Sequence, residues 1–115
     1  MTDDGFEARV RTEGPGTVID LLGLIDGQAE AALNNAYAQA AAATDLVVLN
    51  FADVGYINST GIALVVGLLA QARRSRNTVR ACGLSDHYRE IFEITRLADF
   101  MPIHSDETSA MAAGV

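Results

Sequence analysis

Lysine is absent from this chain: its eight basic residues are all arginine, they stand against 15 acidic ones, and the formal charge is -7. A duplex-binding protein needs a basic face that displaces counterions, so nucleic acid is not an expected partner. Cysteine is nearly absent too. The single Cys82 cannot form an internal disulfide, and one thiol fits a reducing compartment. With only His87 and His104 beside it, and no paired-ligand spacing, a zinc site is not expected. Long apolar runs are missing: the longest, Ile62 to Ala70, has nine residues, against about 20 for a membrane-spanning helix. The start, Met1-Thr2-Asp3-Asp4, has neither the basic segment nor the apolar stretch of a secretory signal, so a cytoplasmic location without membrane insertion is expected. No Gly-Lys-Ser/Thr phosphate loop occurs, and no other motif calls for a cofactor.

What is present is ordinary globular composition. Of 115 residues, 50% are hydrophobic and 20% charged, which suits one domain over residues 1–115. Residues 1–4 and about 106–115 are expected to be flexible. Residues 6–13 alternate as a half-exposed strand, Gly14-Pro15-Gly16 is a turn, and residues 17–25 form a second strand, giving an antiparallel hairpin. Its parity puts Ile19, Leu21 and Ile25 inward, with Val18, Leu22 and Leu24 on a partly open face. A helix follows from about Gln28 to Ala43, with Ala29, Ala32, Leu33, Ala36, Tyr37 and Ala40 as its apolar stripe. Leu46 to Phe51 reads as a strand buried on both faces. Helices over Ser59–Arg76 and Asp86–Leu97, strands over Thr78–Leu84 and Met101–His104, and a final helical turn over Asp106–Ala113 complete the order. Strands separated by helices imply parallel crossovers, so the fold class is α/β with a mixed sheet of four to five strands.

One segment is distinctive. A buried strand ends at Phe51, a short loop follows, and Asn58-Ser59-Thr60-Gly61 opens a very apolar helix. Asn, Ser and Thr oxygens accept hydrogen bonds from the free N–H groups of a first turn, so these residues read, taken alone, as a cap. A hydroxyl there also lies at the positive end of the helix dipole, where free N–H groups tolerate a phosphate. Phosphorylation would add about -1.5 to -2 charges and would repel a partner shaped to the uncharged hydroxyl.

The stretch Leu49-Asn50-Phe51-Ala52-Asp53-Val54, followed by Tyr56-Ile57-Asn58-Ser59-Thr60-Gly61-Ile62, resembles the signature of the STAS domain of bacterial anti-sigma-factor antagonists. Gly23-Leu24-Ile25-Asp26 resembles the family's segment before its first helix, and Cys82-Gly83-Leu84 through Ile91-Phe92-Glu93-Ile94-Thr95-Arg96-Leu97 resembles its last strand and third helix. The resemblance spans essentially the whole chain. It implies a STAS-like domain with three to four helices packed mainly on one face. It implies a binding module, not an enzyme, with Ser59 as the phosphorylated residue and Thr60 as second choice. The implied docking surface comprises Asp26, Asp53, Asn58, Ser59, Thr60, Gly61, Ile62 and Leu64. The implied partners are an anti-sigma factor that is also a serine-protein kinase, bound in the unphosphorylated state, and a metal-dependent serine phosphatase; ATP and magnesium belong to the kinase. Two positions depart from the pattern: Asn58 replaces an aspartate and Leu24 a glutamate, each removing a negative charge. Asn58 keeps open an unphosphorylated scaffold, or a soluble subunit of a membrane transport complex.

Other residues have simpler readings. Arg73, Arg74 and Arg76 complement a helix C-terminus; they lie roughly 22 Å from Ser59 along a helix rising ~1.5 Å per residue, too far to clamp a phosphate there. Cys82 reads as a small buried hydrophobe, and Asp86 as the N-cap of the third helix. A hydrolase using Ser59 with Asp86 and His87 ranks last, because the loop is not a Gly-x-Ser-x-Gly elbow. In the second helix Ile62, Val65, Val66 and Leu69 form a core stripe, widened by Leu64 and Leu68, which suggests apolar surface offered to a partner.

Overall fold

The structure, a computed structural model, describes residues 5–112. The hairpin forms as expected: β1 (Phe6–Glu13) runs antiparallel to β2 (Gly16–Ile25), with Val10 opposite Ile19. A 3-10 turn over Gly27–Ala29 leads into α1 (Glu30–Ala43). Then come β3 (Leu46–Ile57), α2 (Ser59–Ser75), β4 (Thr78–Cys82), α3 (Asp86–Ile94), β5 (Ile103–His104) and α4 (Glu107–Ala112). The strands lie in the order β1-β2-β3-β4-β5, and every pairing after the hairpin is parallel.

Strand parity divides the molecule into two unequal layers. Ile19, Leu21 and Ile25 of β2 and Val47, Leu49 and Phe51 of β3 face Leu33 and Tyr37 of α1, Val65 and Leu68 of α2, and Phe92 of α3. Phe51 and Phe92 meet edge to face, centroids 5.8 Å apart, a geometry that adds about 0.5–1.5 kcal/mol beyond area burial. The other sheet face carries a small second cluster of Val18, Val48, Cys82 and Ala110, covered by α4. Val18 is therefore fully buried rather than on an open face, while Leu22 is half-buried and Leu24 exposed.

Polar groups tie α4 down. Arg11 donates to Asp20 through Nε (2.6 Å) and Nη2 (3.0 Å) and to Glu107 Oε2 through Nη1 (3.0 Å). Arg80 Nη1 donates to the Ala110 carbonyl (2.8 Å), and Asp106 Oδ1 accepts the Ser109 N–H (2.8 Å). The Arg11 guanidinium holds the Asp20 carboxyl below the usual range, and Asp20 and Glu107 push Arg11 upward. The expected flexibility of residues 1–4 and 113–115 lies outside the described residues, as does Ala113 of the anticipated last helix.

Several boundaries differ from expectation. β3 continues six residues past Phe51, because its pairing with β2 survives two register shifts: Asp20 pairs with Asn50 but Leu22 with Asp53, and Gly23 pairs with Val54 but Leu24 with Tyr56. Each bulge absorbs an extra β3 residue. β4 stops at Cys82, since Gly83 turns to φ 77°. α3 ends at Ile94: Thr95 Oγ1 donates back to the Ile91 carbonyl (2.8 Å), and Arg96 adopts a left-handed conformation. Its N-cap is Ser85, whose Oγ accepts the Tyr88 N–H (3.3 Å); Asp86 is the first helical residue.

Candidate functional site

The site grows from two adjacent strand ends. Leu24 pairs with Tyr56 and Ile25 with Ile57, and the next residue, Asn58, donates its N–H to the Ile25 carbonyl (3.2 Å). Its side chain then caps α2: Oδ1 accepts the Gly61 N–H at 2.8 Å, and the Ile62 N–H reaches the Asn58 carbonyl at 2.9 Å. Asparagine suffices because capping needs an acceptor oxygen, not a charge. Gly61 lets the helix start against β2. A Cβ there would sit 2.0 Å from the Ile25 carbonyl oxygen, so a side chain would force the strand end and helix apart.

This packing leaves two hydroxyl-bearing residues at the surface. Ser59 and Thr60 are the first two residues of α2, and both are exposed. The 3-10 turn after β2 lies beside them: a Cβ on Gly27 would come within 3.5 Å of Thr60 Cγ2. Asp26 begins that turn, its Oδ1 accepting the Gln28 N–H (2.9 Å). The fold thus brings together Asp26, Asn58, Ser59, Thr60 and Gly61. Ile62 and Leu64 flank the first turns of α2, half-buried against the core. Asp53 is placed apart. It pairs with Leu22 well before the strand end, and its charge acts on Arg9 of β1.

The helix is buried along Gly61, Val65, Leu68, Leu69 and Ala72. Leu68 therefore belongs to the core line, and Val66 is 46% exposed, contrary to the expected stripe. The spacing four, three, one, three turns Val66 away while keeping Leu68 inside. Leu24 (37% exposed) and Tyr56 (55%), paired across β2 and β3, are also exposed.

One positioning residue escaped the sequence reading. Tyr88 of α3 is buried, and its hydroxyl accepts the Ile57 N–H at 2.9 Å, fixing the last residue of β3. The signal for its polar role was only that a buried tyrosine hydroxyl needs a partner.

Among the described residues no group of three or more His, Cys, Asp or Glu side chains converges to hold a metal. The Cys82 thiol is buried, and desolvation, with Glu107, Asp106 and Asp20, pushes it up to about 11, which disfavours the thiolate. No helix of the described residues is long and apolar enough to cross a membrane.

A hairpin-led mixed sheet with an outward hydroxyl at the capped start of its second helix defines a small α/β domain of the SpoIIAA-like fold. Solved structures agree. An anti-sigma factor antagonist from Mycobacterium paratuberculosis superposes with a TM-score of 0.81 at 18% identity, covering 97% of this chain and 96% of that one. The anti-sigma factor antagonist SpoIIAA in its unphosphorylated form gives 0.66 at 18% identity, covering 94% and 99%. Residues 8–103 match the family model described as Mlab, STAS domain, and the chain belongs to the STAS domain family. Among curated relatives, BtrV of Bordetella bronchiseptica is 33% identical over 67 residues, 58% of each chain. The anti-sigma-B factor antagonist of Staphylococcus aureus is 34% identical over 58 residues, 50% of this chain and 54% of its own length. The chain thus spans little more than half the length of the curated relatives it matches.

Proposed function

We propose that this chain is a phosphorylation-switched binding module that, unphosphorylated, docks on an anti-sigma factor carrying serine-kinase activity. Phosphorylation of Ser59 releases it, and a serine phosphatase resets it. The observation that carries the reading is exposed Ser59 at the first position of a capped helix, followed on the same helix by half-buried Ile62 and Leu64. A phosphate there gains from the helix dipole, which offsets the cost of the added charge to the fold. The partner does not: a charge of about -1.5 to -2 would be pressed into an apolar contact and must be desolvated. Support also comes from the Staphylococcus aureus relative named as an anti-sigma-B factor antagonist, and from a structural neighbour, SpoIIAA, whose structure is known in both unphosphorylated and phosphorylated forms. Asp26 and Thr60 border the same patch; Asp53 contributes only where the partner reaches the Leu22 side of the sheet.

The test is binding of the unmodified chain, Ser59→Ala and Ser59→Asp to a purified anti-sigma factor kinase, with mass spectrometry mapping any phosphate. Unmodified chain and Ser59→Ala should bind alike, and Ser59→Asp should lose about a hundredfold, equivalent to about 2.7 kcal/mol. Equal binding of all three sinks the switch. Asn58, which lacks the charge beside the hydroxyl, favours one second reading: an unphosphorylated scaffold or soluble subunit of a membrane transport complex. Its mark is a chain that ATP and the kinase leave unmodified.

A further inference from the structure

The far end of α2 carries a second surface unrelated to Ser59. Val66, Leu69, Ala70 and Arg73 of α2 face Leu97 and Phe100 across an open apolar groove with a volume of about 350 Å³. Its apolar lining is displayed to solvent: Phe100 is 58% exposed and Val66 46%. Exposed apolar surface of this kind costs solubility without adding to the fold. Two arginines, Arg73 and Arg96, also line the groove on a molecule that is otherwise strongly acidic. Arg73 lies over the Phe100 ring, 5.7 Å from its centroid, and forms no ion pair among the described residues. Arg96 also lines the groove, and its only ion pair there is the exposed contact with Asp99 at 3.0 Å, of a kind worth little in water. Arg74 and Arg76 follow at the same helix end. Half of the chain's eight basic residues therefore collect at one pole of a molecule of net charge -7.

A helix C-terminus explains arginines in the last turn of α2. It does not explain Arg96, which lies on another segment, nor the apolar floor between them. We propose that this groove is a docking site for an acidic peptide segment of a partner protein, which inserts one or two large apolar side chains between Val66 and Phe100 and sets its carboxylates against Arg73 and Arg96. The bidentate fit of guanidinium to carboxylate supplies the register, and the apolar anchor supplies the affinity. Val66 lies seven residues from Ser59 and Arg73 fourteen, about 10 and 21 Å along the helix. The latter exceeds two Debye lengths of ~8 Å at physiological salt. The groove therefore engages its segment whether or not Ser59 is modified.

The test uses the full chain and a pool of fluorescein-labelled peptides, each about twelve residues long, drawn from Asp, Glu, Leu, Phe and Ala. Fluorescence anisotropy should detect binding, and amide shifts in an NMR titration should map to Val66, Ala70, Arg73 and Phe100. Arg73→Glu and Val66→Asp, both at exposed positions, should each weaken binding at least about tenfold with the melting temperature little changed. Arg89→Glu, which alters net charge identically outside the groove, should leave binding intact. Absence of binding by the acidic pool overturns the proposal. So does equal binding of a pool with Lys and Arg in place of the acids, equal loss in Arg89→Glu, or amide shifts confined to another face. Binding of sodium dodecanoate in preference to the peptides would also overturn it, assigning the groove to an acyl chain.

Discussion

Asn58 and Gly61 show how little side chain is needed to build the proposed switch. Removing the Asn58 acceptor leaves the Gly61 N–H without its partner, so Asn58→Ala should cost about 1 kcal/mol in urea unfolding. Asn58→Asp keeps the acceptor, adds charge at the positive end of the dipole, and should match or exceed the parent by about 0.3–1 kcal/mol. If both substitutions are neutral, the cap is not what holds the helix start. Gly61 is the sharper case. Its missing Cβ would overlap the Ile25 carbonyl oxygen, so Gly61→Ala should destabilise by about 2–4 kcal/mol through backbone displacement. Gly67, in the same helix with nothing within 4 Å of its missing Cβ, should gain about 0.5–1 kcal/mol on substitution by alanine. Opposite signs for two glycines six residues apart on one helix would separate close approach from helix propensity.

Among the elements, α4 is the one whose stability should follow pH. Asp20 is held below its ordinary value by Arg11, which also grips Glu107. A carboxyl with a depressed folded value stabilises above the unfolded pKa, about 3.9, and loses that contribution as pH falls through the folded value. Asp106, lowered by the Ser109 N–H at the start of α4, follows the same direction. The difference in urea midpoint between the parent and Asp20→Asn should therefore be full at neutral pH and shrink steadily below about pH 4. A difference that persists or grows in acid would show that the contribution of Asp20 does not rest on its charge. Element order, the hairpin and the cap of α2 were legible because each rests on local chemistry: alternation in residues 6–13, the Gly14-Pro15 turn, the acceptor at Asn58. The second half of β3 was not. Ala52, Val54 and Tyr56 alternate with Asp53 and Gly55, but Asp and Gly are turn-forming types that read as a loop, and pairing with β2 makes the segment a strand. Nor was the end of α3, which Arg96 decides by turning left-handed, nor the hydroxyl of Tyr88 on the Ile57 N–H, a contact between residues 31 apart in sequence.

At the scale of the molecule, the sheet is covered unequally: three helices bury one face, and six residues of α4 close the middle of the other. The large face is a continuous core that should open only by global unfolding, whereas α4 depends on Ala110, half-buried Met111 and a few polar ties. Short elements with so few apolar contacts open at a free energy well below the global one. Cys82 reports on this directly, since it lies fully buried beneath α4 and is the chain's single thiol. In native buffer a pyridyl disulfide reagent should label it slowly. The rate should depend only weakly on urea at low concentration, because opening α4 exposes little surface. Glu107→Gln and Arg80→Ala should each speed labelling severalfold while moving the global urea midpoint far less. A labelling rate that climbs with urea as steeply as global unfolding would instead make α4 part of one cooperative unit with the three-helix face. In that case the Arg11 ties, rather than the apolar area under α4, would carry the coupling between the two sides of the sheet.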